Sequence, residues 1–179
     1  PEPKRLPYHM KSGQLVPQMA PFGCGQRYNI TGLIHDETGF PTNSTEEAAK
    51  LMDRLMRKIS DNYDDIVQCE QVSLDDAEMV IVCYGGTMRA ARSAMEQARA
   101  SGKKVGIFRP ITIWPFPERE LREVLGKAKR VLVVEHNGGQ LLLEIERIVK
   151  GACPVDFIGR LNGTVITPQD ILTKLEEVE

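Results

Sequence analysis

The chain has 179 residues, with 23 basic and 25 acidic side chains and a formal net charge of −2. This balanced charge disfavours nucleic acid as a partner, because it provides no basic face that could follow a phosphate backbone. No apolar run approaches the roughly 20 residues that a membrane-spanning helix needs, so we expect no membrane partner.

The four cysteines stand far apart and never in a CxxC pair: Cys24, Cys69, Cys83 and Cys153. Iron–sulfur and structural zinc sites favour closely spaced thiolates, so neither is expected within this chain. Reduced cysteines are typical of cytoplasmic proteins, which gives the predicted localisation. The start at Pro1, in a proline-rich and charged segment without a signal-peptide pattern, indicates a fragment or a processed product.

The first part of the chain predicts an arm and a helix. Residues 1–43 are rich in Pro, Gly and Gln and lack a sustained period, which predicts an extended arm or connector. Residues 44–77 predict a helix and, in the run "IVQCEQV", a candidate edge strand. Ser44 and Glu47 have the spacing of a capping box. The helix is expected to end near Asp61, and its apolar residues at helical spacing are Ala48, Leu51, Met52, Leu55, Met56 and Ile59.

A repeating pattern of strand and helix fills residues 78–179. The predicted buried strands are the runs "MVIVCYG", "KVGIF", "RVLVVE" and "VDFI", and each is followed by a helical pattern. This order predicts an α/β fold with three αβα layers and a mostly parallel sheet, connected by right-handed crossovers.

Several local features of these four helices are also predicted. Thr87 is expected to cap the first helix, and Pro117 to occupy the first position of the second. Thr167, Pro168 and Asp170 are expected to open the last helix. The residues expected to face inward on the third helix are Leu142, Ile145, Ile148 and Val149.

In such sheets, ligands and partners meet the carboxyl ends of the strands. Two glycines at a helix start can hold an anion, but "GGTMRAA" lacks the GxGxxG and P-loop spacings, which favours a tight turn. Glu135 and His136 at a strand tip could do acid–base work, but adjacent strand side chains point to opposite faces. Gly138 and Gly139 are expected to provide a sharp turn at positive φ rather than an anion site. The candidate contact or loop residues are Gly85, Gly86, Arg109, Trp114, Pro115, His136, Gly138 and Gly139.

No pattern in the sequence completes a catalytic, cofactor-binding or metal site. The "HDE" run at 35–37 has consecutive side chains that diverge and no histidine four residues away, so it favours a polar turn over a metal site. No GxSxG elbow is present. We therefore predict no catalytic residue, no cofactor-binding residue and no metal ligand in this chain.

The segment "RPITIWPFPERE", residues 109–120, is either a substrate loop or a stiff connector. Only Arg109 and Thr112 offer polar groups, and the prolines stiffen the backbone, which favours a connector whose aromatic residues pack on the domain or at a subunit contact. Strand alternation predicts two faces, one with Ile111, Ile113 and Pro115 and the other with Pro110, Trp114 and Phe116.

Four stretches together resemble the α subunit of 2-oxoacid:ferredoxin oxidoreductases, with the 2-oxoglutarate type nearest. They are "YNITGLIHDETGFPT", the long run from "AEMVIVCYGG" to "ERELREVL", "VLVVEHNGGQL" and "TPQDIL". Residues 78–150 are more distantly similar to the C-terminal domain of transketolase-family enzymes. There a proline after the second strand and a Gly-Gly after the third recur, matched here by Pro115 and by Gly138 with Gly139.

The resemblance implies a thiamine-diphosphate enzyme that converts a 2-oxoacid and CoA to an acyl-CoA and CO2 and passes electrons to ferredoxin. It implies a thiamine-binding β subunit as partner, with γ and δ subunits as further candidates. It places thiamine diphosphate, Mg²⁺ and an iron–sulfur cluster in the assembled enzyme, because this chain lacks the GDG…NN and cysteine motifs. The chain is then expected to be the C-terminal portion of an α subunit, a scaffold that is inactive alone. The alternatives are a free-standing ligand-binding or regulatory module of the same fold, and a purely structural assembly domain.

Overall fold

The computed structural model describes residues 5–178, and the chain divides into two compact units, Pro1–Ile66 and Val67–Glu179. No helix in the described part of the chain combines the length and the apolar character needed to cross a membrane.

The first unit contains an irregular segment followed by two helices, α1 (Thr45–Ser60) and α2 (Tyr63–Ile66). The irregular segment forms turns and one isolated bridge between His35 and Pro41. Ser44 caps α1, because its hydroxyl accepts the backbone N–H of Glu47 at 3.3 Å. The start and the end of this helix were therefore correctly predicted, since Asp61 is its C-cap.

The apolar side of α1 is not part of a core. None of the helix residues is buried, and Met52, Leu55 and Met56 are exposed. The predicted helical spacing is thus correct, but burial of apolar side chains within the described chain contributes little to the stability of this helix. Its cap and the ion pairs of Lys50 with Glu46 and Glu47 support it locally.

The second unit is built on a five-stranded sheet in the order β1-β3-β2-β4-β5. Strands β2 to β5 are parallel, and β1 pairs with β3 in the antiparallel direction at one edge. The predicted α/β class with a mostly parallel sheet is confirmed, and the candidate edge strand forms. The strands are β1 (Cys69–Val72), β2 (Met79–Cys83), β3 (Val105–Pro110), β4 (Arg130–Glu135) and β5 (Val155–Gly159). The helices are α3 (Thr87–Ala100), α4 (Glu118–Leu125), α5 (Gln140–Val149) and α6 (Pro168–Glu177).

Helices cover both faces of this sheet, which gives the predicted three layers. Ile81 of β2 belongs to one buried cluster with side chains of α3 and α6. Val80 of the same strand belongs to a second cluster with side chains of α4 and α5. Because successive strand residues point to opposite faces, a central strand buried on both sides reads as an unbroken apolar run.

Some helix details differ from the sequence predictions. Thr87 is the first residue of α3 and not its cap; Gly86 is the N-cap, and the Thr87 hydroxyl donates to the Tyr84 carbonyl at 2.7 Å. Pro117 is the N-cap of α4, which begins one residue later than predicted.

Three of the four residues predicted to face inward on α5 are buried, Ile145, Ile148 and Val149, but the first was placed one position too late. Leu141 takes the innermost place, because it lies one helical turn before Ile145, whereas Leu142 is only partly buried. The start of α6 was correctly predicted, since Thr167 and Asp170 form a reciprocal capping box with Pro168 at its first turn.

Candidate functional site

The strand order creates a switch point at the carboxyl edge of the sheet, between β2 and β4. These strands are neighbours, but the chain leaves β2 towards β3 on one side and leaves β4 towards β5 on the other. Open α/β sheets bind ligands in the crevice at such a point. The connections that flank it are 84–86 and 136–139, which contain five of the eight residues predicted as contacts.

Asn137 fixes the connection between β4 and α5. Its side-chain N–H donates to the Tyr84 hydroxyl at 2.8 Å, across the switch point. Its side-chain oxygen accepts the backbone N–H groups of Gly139 and Gln140 at 2.9 and 3.2 Å. The amide of Asn137 is therefore used to hold the two connections in place, a role that the sequence alone did not reveal.

Glu135 anchors the first turn of α5. The carboxylate is fully buried, and its two oxygens accept the backbone N–H groups of Leu141 at 3.0 Å and Leu142 at 3.1 Å. The positive end of the helix dipole stabilises a negative charge at this place. No local spacing rule identifies this contact, because a capping box uses the N-cap residue and the third helical residue rather than the preceding strand.

His136 makes a different contact from its neighbour. The ring is exposed at the edge, and its Nε2 accepts the backbone N–H of Ile166 at 3.5 Å. Since Glu135 is used at the start of α5, the two side chains do not form a hydrogen-bonded acid–base pair.

In each glycine pair at the two connections, one glycine has a left-handed backbone and the other does not. Gly85 has a φ of 59° and Gly139 a φ of 103°, both in the left-handed region that favours glycine. A Cβ at Gly138 would meet no atom closer than Leu161 at 3.8 Å, so this position tolerates a side chain. The expected positive φ thus applies to Gly139, whose backbone conformation and not steric crowding requires glycine.

Arg109 belongs to an ion cluster at the end of β3. Its guanidinium contacts Glu70 of β1 at 3.0 Å, and Arg92 of α3 contacts the same carboxylate at 2.6 Å. The hydrogen bond from Arg109, together with Arg92, holds the pKa of Glu70 below its usual range. Within the described residues the Nε of Arg109 is buried without a hydrogen-bond partner. The cluster links an edge strand to a helix, so Arg109 has a structural use.

The connector between β3 and α4 exposes its tryptophan. Trp114 is 70% exposed, whereas Phe116 is 8% exposed. The predicted placement of these two residues on one face is wrong, because bends at Ile111, Trp114 and Pro115 interrupt the alternation of a regular strand. The peptide bond before Pro115 is cis.

In the first unit, the "HDE" residues form a polar turn beside a cavity. The Asp36 carboxylate accepts hydrogen bonds from the backbone and the hydroxyl of Thr38, and Gly39 donates to the Asp36 carbonyl at 3.1 Å. The cavity has a volume of about 740 Å³ and is lined by Tyr8, His9, Met10, His35, Asp36, Glu37, Thr38, Glu47, Lys50, Leu51 and Arg54. Across residues 5–178, no group of three or more His, Cys, Asp and Glu side chains has an arrangement that could hold a metal ion.

The four cysteines are free thiols in different environments. Burial raises the pKa of the Cys83 thiol to about 12, and it also raises the pKa values of Cys69 and Cys153. Cys24 is exposed. A high pKa disfavours the thiolate, the form that attacks electrophiles and ligates metals.

Comparisons with known proteins give both a family and a fold. A family model described as pyruvate:ferredoxin oxidoreductase core domain II matches residues 77–171. The chain is 40% identical over 170 residues to the 2-oxoglutarate synthase subunit KorA of Methanocaldococcus jannaschii. That match covers 95% of this chain and 45% of the relative, so the chain spans less than half of the relative's length.

Two solved structures share the fold. The 2-oxoglutarate:ferredoxin oxidoreductase from Magnetococcus marinus, with 2-oxoglutarate, coenzyme A and succinyl-CoA bound, matches with a TM-score of 0.81 and 24% identity. The match covers 98% of this chain and 31% of that one. A split-gene transketolase, described as an inactive beta4 tetramer, matches with a TM-score of 0.52 and 16% identity over 60% of this chain and 40% of that one. The transketolase-like architecture predicted from the sequence is therefore confirmed.

Proposed function

Because the chain belongs to the pyruvate:ferredoxin oxidoreductase core domain II family, we propose that it is part of the α subunit of a 2-oxoacid:ferredoxin oxidoreductase, of the 2-oxoglutarate type. The observation that carries this proposal is the 40% identity to a 2-oxoglutarate synthase subunit across 95% of the chain. In the proposed reaction, a 2-oxoacid and CoA give an acyl-CoA and CO2. The two electrons released pass to ferredoxin, and the thiol proton passes to solvent.

Within such an enzyme, this chain would act as a scaffold and subunit-contact domain. Its polar side chains at the switch point are used in structural contacts: Glu135 at the start of α5, and Asn137 between two connections. Arg109, the one charged residue predicted as a contact, is paired with Glu70. These structural contacts favour a role in supporting the assembly over a direct role in the conversion of the 2-oxoacid.

The cofactors of the proposed enzyme would lie outside this chain. Thiamine diphosphate and Mg²⁺ would be held by a β subunit, and the iron–sulfur cluster by a β, γ or δ subunit. The sequence supports this division, because its four cysteines are widely spaced and it contains no GDG…NN pattern. Ferredoxin and CoA would reach the chain only through the assembled complex.

Co-purification tests this function. The tagged chain is expressed with the companion subunits encoded beside its gene, and the purified complex is assayed for 2-oxoacid-dependent reduction of a low-potential dye. We expect a stoichiometric complex whose activity requires CoA. The proposal fails if the chain does not enter the complex, or if the complex reduces the dye equally well without it.

The isolated chain provides the matching negative experiment. Calorimetric titration with Mg²⁺ and thiamine diphosphate, together with iron analysis, is expected to show no useful affinity and no bound iron. Micromolar cofactor binding or stoichiometric iron would assign the chemistry to this chain instead.

A second candidate function is a free-standing ligand-binding or regulatory module. The observation that favours it is the pair Gly85–Gly86, which lies exposed beside the switch point with no atom within 4 Å of an added Cβ. The two functions differ in gene context, since only the first requires a neighbouring gene for a thiamine-binding β subunit.

A further inference from the structure

Two Asn-Gly pairs lie in the connections at the carboxyl edge of the sheet. Asn137–Gly138 belongs to the connection from β4 to α5, and Asn162–Gly163 to the connection from β5 to α6. In such a pair the glycine nitrogen can attack the side-chain amide of the asparagine, because glycine has no Cβ that obstructs the approach. The two pairs have the same intrinsic chemistry, so their surroundings decide which of them reacts.

The side-chain oxygens of the two asparagines have similar contacts. Oδ1 of Asn162 accepts the backbone N–H of Thr164 at 3.1 Å and its hydroxyl at 2.7 Å. Oδ1 of Asn137 accepts the backbone N–H groups of Gly139 and Gln140 at 2.9 and 3.2 Å. Donors at this oxygen stabilise the negative charge that develops on it when a nucleophile attacks the amide carbon. The oxygen contacts therefore favour attack at both asparagines.

The nitrogen atoms of the two pairs have different contacts. The side-chain N–H of Asn137 donates to the Tyr84 hydroxyl at 2.8 Å, and the backbone N–H of Gly138 donates to the side-chain oxygen of Gln140 at 3.1 Å. Both bonds have to break before the Gly138 nitrogen can attack, which adds to the barrier. Within residues 5–178, no hydrogen bond uses the side-chain nitrogen of Asn162 or the backbone N–H of Gly163.

Exposure also separates the two pairs. Asn137 is partly buried, and the residue after Gly138 and Gly139 is the first residue of α5. Asn162 and Gly163 are both exposed, and their neighbour Leu161 is 78% exposed. The connection that holds Asn162 contains no helix or strand, so its backbone can adopt the conformation that ring closure needs.

We propose that Asn162–Gly163 is a site of spontaneous deamidation and backbone isomerisation in the folded chain, and that the fold protects Asn137–Gly138. The Gly163 nitrogen forms a bond to Cγ of Asn162, the bond from Cγ to Nδ2 breaks, and the proton of Gly163 leaves with Nδ2 as ammonia. Water then adds to either carbonyl of the cyclic imide and opens the ring. The products are aspartate and isoaspartate, with no change of oxidation state.

The modification changes the charge of the connection from β5 to α6. One negative charge is added to the formal net charge of −2, and residues 160–167 gain a carboxylate where Arg160 is the only charged residue. Isoaspartate also adds a methylene group to the main chain. The site uses residues of this chain alone, so it does not depend on the proposed function.

Incubation followed by peptide mapping tests the site. The folded chain is kept in mildly alkaline buffer, sampled over time and digested with trypsin. Cleavage at Arg130 and Arg147 releases the peptide that contains Asn137, and cleavage at Arg160 and Lys174 releases the peptide that contains Asn162. Mass spectrometry with electron-transfer fragmentation measures deamidation and separates aspartate from isoaspartate. The same incubation in concentrated urea gives the rates of the unfolded chain.

In the folded chain we expect Asn162 to deamidate at least about tenfold faster than Asn137, equivalent to about 1.4 kcal/mol of activation free energy. In urea the two rates should be similar, because only the sequence then acts. The rate at Asn162 should rise with pH, since the attacking nitrogen has to lose its proton. Asn162→Gln should abolish the modification of its peptide, because the longer side chain cannot form the same ring.

Tyr84→Phe tests the reason for the difference. It removes the hydroxyl that accepts the side-chain N–H of Asn137, so deamidation of Asn137 should become faster while the rate at Asn162 stays the same. Thermal unfolding confirms that the variant is folded. An unchanged rate at Asn137 would contradict protection by this hydrogen bond.

Three results would overturn the proposed site. The first is no deamidation at Asn162 in the folded chain. The second is a rate at Asn162 that does not exceed the rate at Asn137. The third is a rate at Asn162 that folding slows as strongly as it slows the rate at Asn137.

Discussion

Gly138 and Gly139 are neighbours in the connection from β4 to α5, but only Gly139 has a left-handed backbone. Its φ is 103°, and an added Cβ would meet Leu142 at 3.5 Å, which is ordinary contact. We expect Gly139→Val to destabilise the chain by about 1–3 kcal/mol, because a residue with a Cβ is strained at this φ. Urea unfolding measures the change.

Gly138→Ala is the matched control for this prediction. Position 138 has no positive φ and has room for a methyl group, so we expect a change of less than about 0.5 kcal/mol. Equal losses in the two variants would contradict the conformational argument. A collapse of phosphate or CoA affinity with little loss of stability would instead favour an anion site at these glycines.

The cysteines allow a second test at the level of single residues. Cys83 is fully buried with a pKa raised to about 12, whereas Cys24 is exposed. At pH 8, a thiol reagent should therefore modify Cys24 rapidly and Cys83 only after the chain is unfolded. Mass spectrometry of the modified peptides checks this, with Cys24→Ser as control. Rapid labelling of Cys83 in the folded chain would contradict its burial.

Helix α5 depends on a residue that precedes it. Glu135 accepts two backbone N–H groups in its first turn from a fully buried position. We expect Glu135→Gln to cost about 1–3 kcal/mol, because the amide presents its own N–H groups to one of these donors and leaves it unsatisfied. Denaturant unfolding measures this loss.

Glu146→Gln provides the control on the same helix. Glu146 is exposed, so its substitution should change the free energy of unfolding by less than about 0.5 kcal/mol. If Glu135→Gln were equally neutral, the carboxylate would not be needed to start α5.

At the scale of the whole molecule, the arm at 21–43 offers apolar residues with little to cover them in the described chain. Phe22 is 94% exposed, and Ile30, Leu33 and Phe40 are exposed as well. Ordering roughly 20 residues costs on the order of 20–40 kcal/mol of backbone entropy, which contacts have to offset. We therefore expect proteases to cut the isolated chain at Phe22 and Arg27 and to spare these sites in the assembled complex.

Cleavage near Lys127, in the connection from α4 to β4, serves as the internal control for this experiment. It should proceed alike in the isolated chain and in the complex. Equal protection of the arm in both states would count against its role in assembly.

Trp114 is expected to act in assembly rather than in folding. Because its side chain is 70% exposed, Trp114→Ala should cost the isolated chain less than about 1 kcal/mol, whereas a buried aromatic residue costs about 3–5 kcal/mol. The complex with companion subunits should weaken. The assembled enzyme should keep its Michaelis constant for the 2-oxoacid, which steady-state kinetics of the purified complex measures.

Phe116→Ala is the comparison, since Phe116 is 8% exposed and belongs to a buried cluster. We expect it to lose about 3–5 kcal/mol of stability. A large rise in the Michaelis constant of the Trp114→Ala complex, with stability and assembly unchanged, would show that the connector is a substrate loop.

Local patterns in the sequence determined the elements and their order. Apolar runs, helical spacing and the Thr167–Asp170 box depend on residues within a few positions of each other, so they predict the strands, the helices and the α/β class. The starts of α3 and α4 were predicted within one residue, as at Thr87 and Pro117, but the short helix α2 was not predicted and the run "IVQCEQV" begins before the first residue of β1, Cys69.

Only the tertiary structure decided which distant residues meet. The order β1-β3-β2-β4-β5 and the pairing of Arg109 with Glu70 join segments that are far apart in the chain. The contact of Glu135 with Leu141 spans only six residues, but it follows no local spacing rule. The sequence also could not predict which apolar side chains are exposed. Trp114 has the same apolar side chain whether it is covered by the core or by a partner. Burial depends on the packing of the whole chain, and the sequence shows only that the side chain is apolar.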